Sequence, residues 1–175
     1  MAAPFPILIT GPESSGKTTL AKKLSEILHG TFINECARDY LNELDQPYNL
    51  TDLNRIIDLQ FQQEYEAKLR SKSNYLLFDT GPIVLSVWLK VRFNETSKRL
   101  KEWISNSNYD LILLCKPDIP WEEDPLREHP EHRMELYELY KKILKENQLD
   151  YQEVSGNKDQ RLRFSLSKIE NLKKV

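Results

Sequence analysis

The sequence predicts an α/β fold, a three-layer α/β/α domain on a five-stranded parallel sheet, and three observations carry that reading. Short β-prone runs alternate with longer stretches of helical periodicity, the pattern that builds parallel strands joined by crossover helices on both faces. Two of the runs, NYLLFDT at 74–80 and DLILLCKP at 110–117, are mostly apolar, as strands covered on both faces must be. A glycine-framed octapeptide, GPESSGKT at 11–18, stands between the first β-prone run and the first helical one.

That octapeptide matches Gly, four free positions, Gly, Lys and Ser or Thr, the spacing of a phosphate-binding loop. The glycines let backbone N–H groups turn inward around a phosphate, where a Cβ would block the approach. Lys17 is then expected on the β and γ phosphates and Thr18 on Mg²⁺. Because Thr18 opens a helix, the positive end of the helix dipole faces the same anion. Gly11, Glu13, Ser14, Ser15, Gly16, Lys17, Thr18 and Thr19 are therefore the candidate ATP-binding residues of a P-loop NTPase.

The remaining elements follow in order. After the strand at 5–10 and the loop, Leu20, Leu24, Ile27 and Leu28 recur at helical spacing until His29 and Gly30, the glycine suiting a helix C-terminus. TFINE at 31–35 is a short strand that delivers Glu35, Arg38 and Asp39 just past its carboxyl end, where open α/β sheets place ligands. A helix through ARDYLNEL stops at the QPYN turn, and Thr51 and Asp52 cap a long helix with Leu53, Ile56, Ile57, Phe61, Tyr65 and Leu69 on one face. The strand at 74–80 ends in Asp79, placed as the acidic residue of a Walker B strand that serves Mg²⁺. Helices at 82–93 and 97–105 lead to the strand at 110–117. Residues 118–133 carry three prolines, a tryptophan, two histidines and a cluster of acids and arginines, a composition suited to an ordered loop. A helix at 134–147 with Tyr137, Tyr140, Ile143 and Leu144 on one side, a strand at 150–156 and a terminal helix with Leu162, Leu166, Ile169 and Leu172 complete the chain.

At 175 residues the chain suits one domain, 1–175, with a substantial core. A formal net charge of -2 with 30% charged residues gives no basic field for nucleic acid. Apolar runs are strand-sized, too short for a membrane span, and MAAPFPILIT lacks a basic targeting region, so a cytoplasmic protein is expected. Cys36 and Cys115 lie far apart without metal-ligand spacing and suit reduced thiols. The expected partner is a small molecule, and a homo-oligomer stays open.

Among phosphate-loop classes, a GTP switch requires N-K-x-D and D-x-x-G, whereas Asn157-Lys158-Asp159 and Asp79-Thr80-Gly81 are each one residue short. A regulatory ATPase module is expected within a longer chain. A small-molecule kinase needs a basic, mobile lid between its fourth and fifth strands to stabilise the transferred phosphoryl group and exclude water. Residues 118–133 hold that place, with Arg127 and Arg133 as the charge.

GPESSGKTTL, NECARDY, LQFQQEYEAKL, LLFDTGPIVLSVW and YDLILLCKPDIPWEEDPLREHPEHR, in this order, resemble the nicotinamide riboside kinase domain of NadR-type NAD-biosynthesis proteins. The similarity runs from the first strand into the last, and the ESSGK loop and PW-x-x-D-x-x-R lid are its most distinctive parts. The resemblance implies a nucleoside-kinase-like P-loop fold with a lid, and ATP-dependent phosphorylation of the 5′-hydroxyl of nicotinamide riboside to nicotinamide mononucleotide. It implies the kinase step only, since the chain shows no H-x-G-H nucleotidyltransferase signature. One departure stands out: the family commonly shows Asp-Thr-Asp after the third strand, and this chain has Asp79-Thr80-Gly81. A kinase for another nucleoside or small metabolite, or an ATP-binding regulatory module, is the alternative.

Lys17, Asp79, Glu35, Arg127 and Arg133 are the candidate catalytic residues. Asp79 is either a Mg²⁺ ligand with Thr18 or the base that accepts the acceptor's proton; Glu35 is the second candidate base, or a helix cap. Arg38 either binds the acceptor or pairs with Glu35. Arg127 and Arg133 offer guanidinium forks to phosphate oxygens, with at least one expected in a lid ion pair to Glu122, Glu123 or Asp124. Glu35, Arg38, Asp39, Trp121 and Asp124 are the candidate acceptor-binding residues; Trp121 either stacks on a flat cationic ring or packs the lid on the core. Asn157 and Arg161 lie where related kinases contact adenine, or simply open a helix. His129 and His132 lack further ligands and read as lid surface, not zinc.

Overall fold

The computed structural model describes residues 3–124 and 126–173. Its elements follow in the order β1 (Phe5–Thr10), α1 (Lys17–Leu28), β2 (Thr31–Ile33), α2 (Cys36–Asn42), α3 (Leu50–Arg70), β3 (Tyr75–Asp79), α4 (Pro82–Phe93), α5 (Lys98–Ser105), β4 (Leu111–Cys115), α6 (Arg133–Glu146), β5 (Gln152–Val154) and α7 (Lys158–Lys173). The five strands form one parallel sheet in the order β2-β3-β1-β4-β5. The three-layer reading of the sequence holds. No helix among the described residues is long and apolar enough to cross a membrane.

Strand alternation divides the core between the two faces. Ile7, Ile9, Leu77, Leu113 and Cys115 point to the side of α1 and α7, where Leu24 and Ile169 meet them. Leu8, Leu76, Phe78, Ile112 and Leu114 point to the other side and pack under α4, α5 and α6 through Ile83, Ile104 and Tyr140. A further cluster joins α2, α3, α4 and α5 around Ile56, Leu89 and Trp103.

Three local expectations are corrected by packing. The first helix ends on His29, which itself takes the left-handed conformation (φ 51°); Gly30 is needed because a Cβ there would stand 2.5 Å from Leu77 Cδ2. The long helix is capped by Asn49, not Thr51: the Asn49 side chain accepts from the Thr51 and Asp52 amides while Asp52 accepts from the Asn49 amide. The expected apolar stripe is buried at Leu53, Ile56 and Ile57, with Phe61 packed against them, but not at its C-terminal end. Tyr65 and Leu69 are 53% and 66% exposed, while Gln60 and Glu64 face inward. Gln60 accepts from the Cys36 amide at 3.0 Å, which fixes the start of α2 against α3.

Glu64, 2% exposed, accepts from the Tyr109 hydroxyl at 2.8 and 2.9 Å and from Lys68 at 3.3 Å. Burial pushes its carboxyl up to about 7, with Lys68 and Tyr109 opposing. A folded-state value above the unfolded one means that the native protein holds this proton more tightly. The associated stability is complete below the ordinary glutamate range and is lost as pH rises toward 7. Glu64→Gln is therefore expected to flatten the fall in stability between about pH 4.5 and 7, at roughly 1.4 kcal/mol for each unit of pKa displacement. Urea unfolding of both proteins across that window checks it; parallel curves would show that the carboxyl does not titrate on unfolding.

Candidate active site

β1 lies between β3 and β4, so the chain leaves its carboxyl end at the point where connections depart to opposite sides, the crevice in which open α/β sheets bind ligands. Ile9 is in register with Asp79 and Thr10 with Leu114, which sets the phosphate loop and the end of β3 side by side. Gly11 has φ 136°, and a Cβ on it would stand 2.5 Å from the Cys115 carbonyl oxygen, so the loop is seated against the end of β4. Ser14 (φ 50°) and Gly16 (φ 78°) are also left-handed and wrap the loop toward the start of α1. The Ser15 hydroxyl donates to the Pro12 carbonyl at 2.6 Å, and Lys17 Nζ donates to the same carbonyl at 2.8 Å. The ammonium group is thus drawn back over the loop, where the motif expects phosphate.

Asp79 and Glu35 share this corner with Lys17. Asp79 is 1% exposed, and its two oxygens, like the Thr10 and Thr80 hydroxyls, are buried without a hydrogen-bond partner among the described residues. The Thr18 hydroxyl comes near enough to favour the ionised carboxylate without completing a hydrogen bond. Burial raises the Asp79 carboxyl above its ordinary range and Lys17 opposes that shift. Burial also raises Glu35, with Lys17 lowering it and Asp79 adding to the rise. Buried oxygens left without donors suit a hard cation that seeks oxygen ligands and keeps several of its waters, so the residues present fit Mg²⁺.

A cavity of about 1170 Å³ extends from the loop. Lys17, Thr18, Asn157 and Arg161 line its polar part, with Glu35 and Arg38 beyond them. Val84, Trp88 and Val91 of α4, with Tyr48 and Tyr140, form an apolar and aromatic wall. Tyr48 and Trp88 were not among the residues expected from sequence. The available signal was α4 itself, apolar on more than one side: Ile83 enters the core, while Val84, Val87, Trp88 and Val91 also line the cavity.

The other expected residues are distributed as follows. Arg161, 3% exposed, donates to the carbonyls of Gly156 (2.6 Å), Ser15 (2.9 Å) and Lys116 (2.8 Å) and pairs with Asp118, so it ties the phosphate loop to the end of β4 and the start of α7. Asn157 caps α7 in a reciprocal pair with Gln160. Both still face the cavity. Asp39 is exposed in the first turn of α2 and lies outside the cavity lining.

The lid segment, 118–133, is bound to the loop by residues at the free positions of the motif. The Glu13 carboxylate accepts from the Glu128 and His129 amides, with His129 Nδ1 at 3.2 Å. The Ser14 hydroxyl accepts from the Glu122 amide at 3.0 Å and from Arg127 at 3.4 Å. Arg133 donates to the carbonyls of Ser14 (3.1 Å) and Ile119 (3.0 Å). Trp121 does not line the cavity; its ring lies 5.9 Å from the Arg127 guanidinium and 5.6 Å from that of Arg133, so it organises the two arginines. Asp124 holds Arg38 at 3.0 Å, not a lid arginine, and the Leu126 amide followed by Arg38 keeps its carboxyl below the ordinary range. Arg38 accordingly pairs with Asp124 and not with Glu35. Among the described residues no three His, Cys, Asp or Glu side chains are grouped to hold a metal by themselves.

Gly81, the point at which this chain departs from the pattern expected of the resemblance, is tightly packed. A Cβ there would stand 2.9 Å from Leu8 Cδ1 and 3.2 Å from both Glu64 Oε1 and the Tyr109 hydroxyl. The position faces the α3 side of the sheet, where an added carboxylate would meet Glu64.

Comparison with known proteins agrees with this arrangement. The trifunctional NAD biosynthesis/regulator protein NadR of Salmonella typhimurium is 27% identical over 151 residues, covering 83% of this chain and 37% of the relative. The chain thus spans little more than a third of that protein's length. The crystal structure of a NadR protein in complex with NR superposes with a TM-score of 0.84 at 24% identity, covering 99% of this chain and 52% of that one. Deoxyadenosine kinase from M. mycoides superposes with a TM-score of 0.65 at 15% identity, over 95% of this chain and 99% of that one. These likenesses establish a P-loop kinase fold. A family described as an AAA domain matches residues 6–161, and the chain belongs to that family.

Proposed function

We propose that this protein is an ATP- and Mg²⁺-dependent kinase that phosphorylates the 5′-hydroxyl of nicotinamide riboside, giving nicotinamide mononucleotide. The observation that carries the reading is Asp79, a buried carboxylate that completes no hydrogen bond among the described residues, set beside Lys17 and Glu35 where the phosphate loop meets a cavity with an aromatic wall. The NadR structure in complex with NR supports nicotinamide riboside as the acceptor, and the deoxyadenosine kinase supports the nucleoside class.

In this reading the loop amides and Lys17 hold the β and γ phosphates, and Thr18 and Asp79 hold Mg²⁺, which supplies charge neutralisation on the phosphate oxygens when bound. The riboside lies along Trp88 and Tyr48, with its 5′-hydroxyl toward Glu35. Its oxygen bonds to the γ-phosphorus, the bond from that phosphorus to the β-bridging oxygen breaks, and ADP leaves. The hydroxyl proton passes to Glu35, whose burial raises its affinity for a proton. Arg127, at the cavity lining, faces the charge on the transferring group, while Arg133, gathered with it on Trp121, holds the lid to the Ser14 and Ile119 carbonyls.

ADP release from ATP and Mg²⁺ is expected to depend on added nicotinamide riboside; slow release indifferent to every acceptor tried would assign a regulatory ATPase module instead. Lys17→Ala is expected to lower kcat about 100-fold or more while the far-ultraviolet circular dichroism stays that of the parent. Collapse of that spectrum would mean that the contact with Pro12 is needed for folding.

The two carboxylates are separable. Because Glu35 works only when ionised and burial raises it, kcat/KM is expected to fall with decreasing pH at a value above the ordinary glutamate pKa of about 4.3. Glu35→Gln is expected to remove that limb and lower kcat by roughly 10²–10⁴-fold. Asp79→Asn is expected to raise the Mg²⁺ concentration needed for half-maximal rate; a normal Mg²⁺ requirement with loss of the acid limb would exchange the two roles.

A further inference from the structure

One continuous hydrogen-bonded path links the aromatic wall of the cavity to the phosphate loop by way of the lid. Trp88 Nε1 donates to the Tyr48 hydroxyl at 2.9 Å. That hydroxyl donates to the Glu128 carboxylate, 3.2 Å from each oxygen. A phenol has one proton, and since the Trp88 N–H can only donate, the Tyr48 proton is directed to the lid. The Glu128 amide in turn donates to the Glu13 carboxylate at 3.0 and 3.2 Å. Tyr48 is a firm anchor: its ring meets Trp88 edge-on at 5.3 Å and Phe93 at 6.1 Å, and the Arg92 guanidinium lies 5.5 Å over it.

We propose that Tyr48 and Glu128 form a strap across the cavity and that Tyr48 is a positioning residue for phosphoryl transfer. Arg127 is the chain neighbour of Glu128, so whatever holds residue 128 between Tyr48 and Glu13 also sets where the Arg127 guanidinium stands over the loop. A nucleoside whose flat ring packs against Tyr48 and Trp88 steadies the strap and with it the arginine. Water has no such surface and leaves the strap unaided. The strap therefore favours transfer to a ring-bearing acceptor over hydrolysis. Its hydrogen bonds are solvent-facing and contribute little to global stability; what they supply is placement, and an error of an ångström at a reacting centre costs orders of magnitude in rate.

This inference rests on the kinase reading for its catalytic consequence but not for its structural one, and the experiment separates the two. Tyr48→Phe keeps the ring and removes only the hydroxyl. In the free protein it is expected to speed hydrogen–deuterium exchange at the amides of residues 126–129, as is Glu128→Ala. Glu128→Gln, whose amide oxygen still accepts the Tyr48 proton, is expected to restore protection. The double variant Tyr48→Phe/Glu128→Ala is expected to exchange no faster than either single change, as for two ends of one interaction. In turnover, Tyr48→Phe is expected to lower kcat for transfer about tenfold, leave KM for ATP unchanged and raise the ADP formed per acceptor phosphorylated. Unchanged exchange in Tyr48→Phe, or additive effects in the double variant, would overturn the strap. Faster exchange in a protein that phosphorylates no acceptor keeps the strap and overturns the kinase reading alone.

Discussion

The seat of the phosphate loop on the end of β4 is the constraint on which the rest of the structure depends. Gly11 presses against the Cys115 carbonyl so closely that no side chain fits, and Arg161 fastens the same loop from behind through the Ser15 carbonyl. Together they fix where α1 begins, and therefore where Lys17 and Thr18 point. A parallel sheet with β1 at its switch point supplies the opening, and the two fastenings hold the loop across it.

Two buried carboxylates show how the protein treats charge differently in structural and chemical settings. Glu64 lies under α4 with Tyr109 and Lys68 as donors, a satisfied group that joins α3 to the start of β4. Asp79, a few residues before α4, has no completed hydrogen bond among the described residues, with only the Thr18 hydroxyl nearby. An unsatisfied buried acid destabilises the fold, and such groups persist where a ligand completes them. The contrast sets the corner formed by Asp79, Glu35 and Lys17 apart from the satisfied polar group at Glu64.

The lid is not a passive flap. Glu13 and Ser14 occupy positions at which the motif leaves the side chain free, and both use their side chains to hold lid amides. On the other side Asp124 pairs with Arg38, and Glu128 with Tyr48. The segment is therefore suspended between the phosphate loop and the aromatic wall of the cavity, and Trp121 keeps its two arginines together in between. The guanidinium groups thus stand on a segment held from both sides.

By itself the sequence determined the parallel α/β architecture, the phosphate loop and the placement of Glu35 and Asp79 at strand ends. Each of these follows from local signals: hydrophobic period, glycine spacing, and the acid that closes an apolar run. Only the tertiary structure decided the partners. It turned Gln60 and Glu64 of α3 inward in place of Tyr65 and Leu69, and moved Trp121 from a candidate substrate contact to a platform for arginines. It also made Arg161 a strut, gave Asp124 to Arg38, and brought Tyr48 and Trp88 together across 40 residues of chain. The reason is common to all of them: a side chain's period states which face it occupies, but its partner is set by what the fold brings to that face.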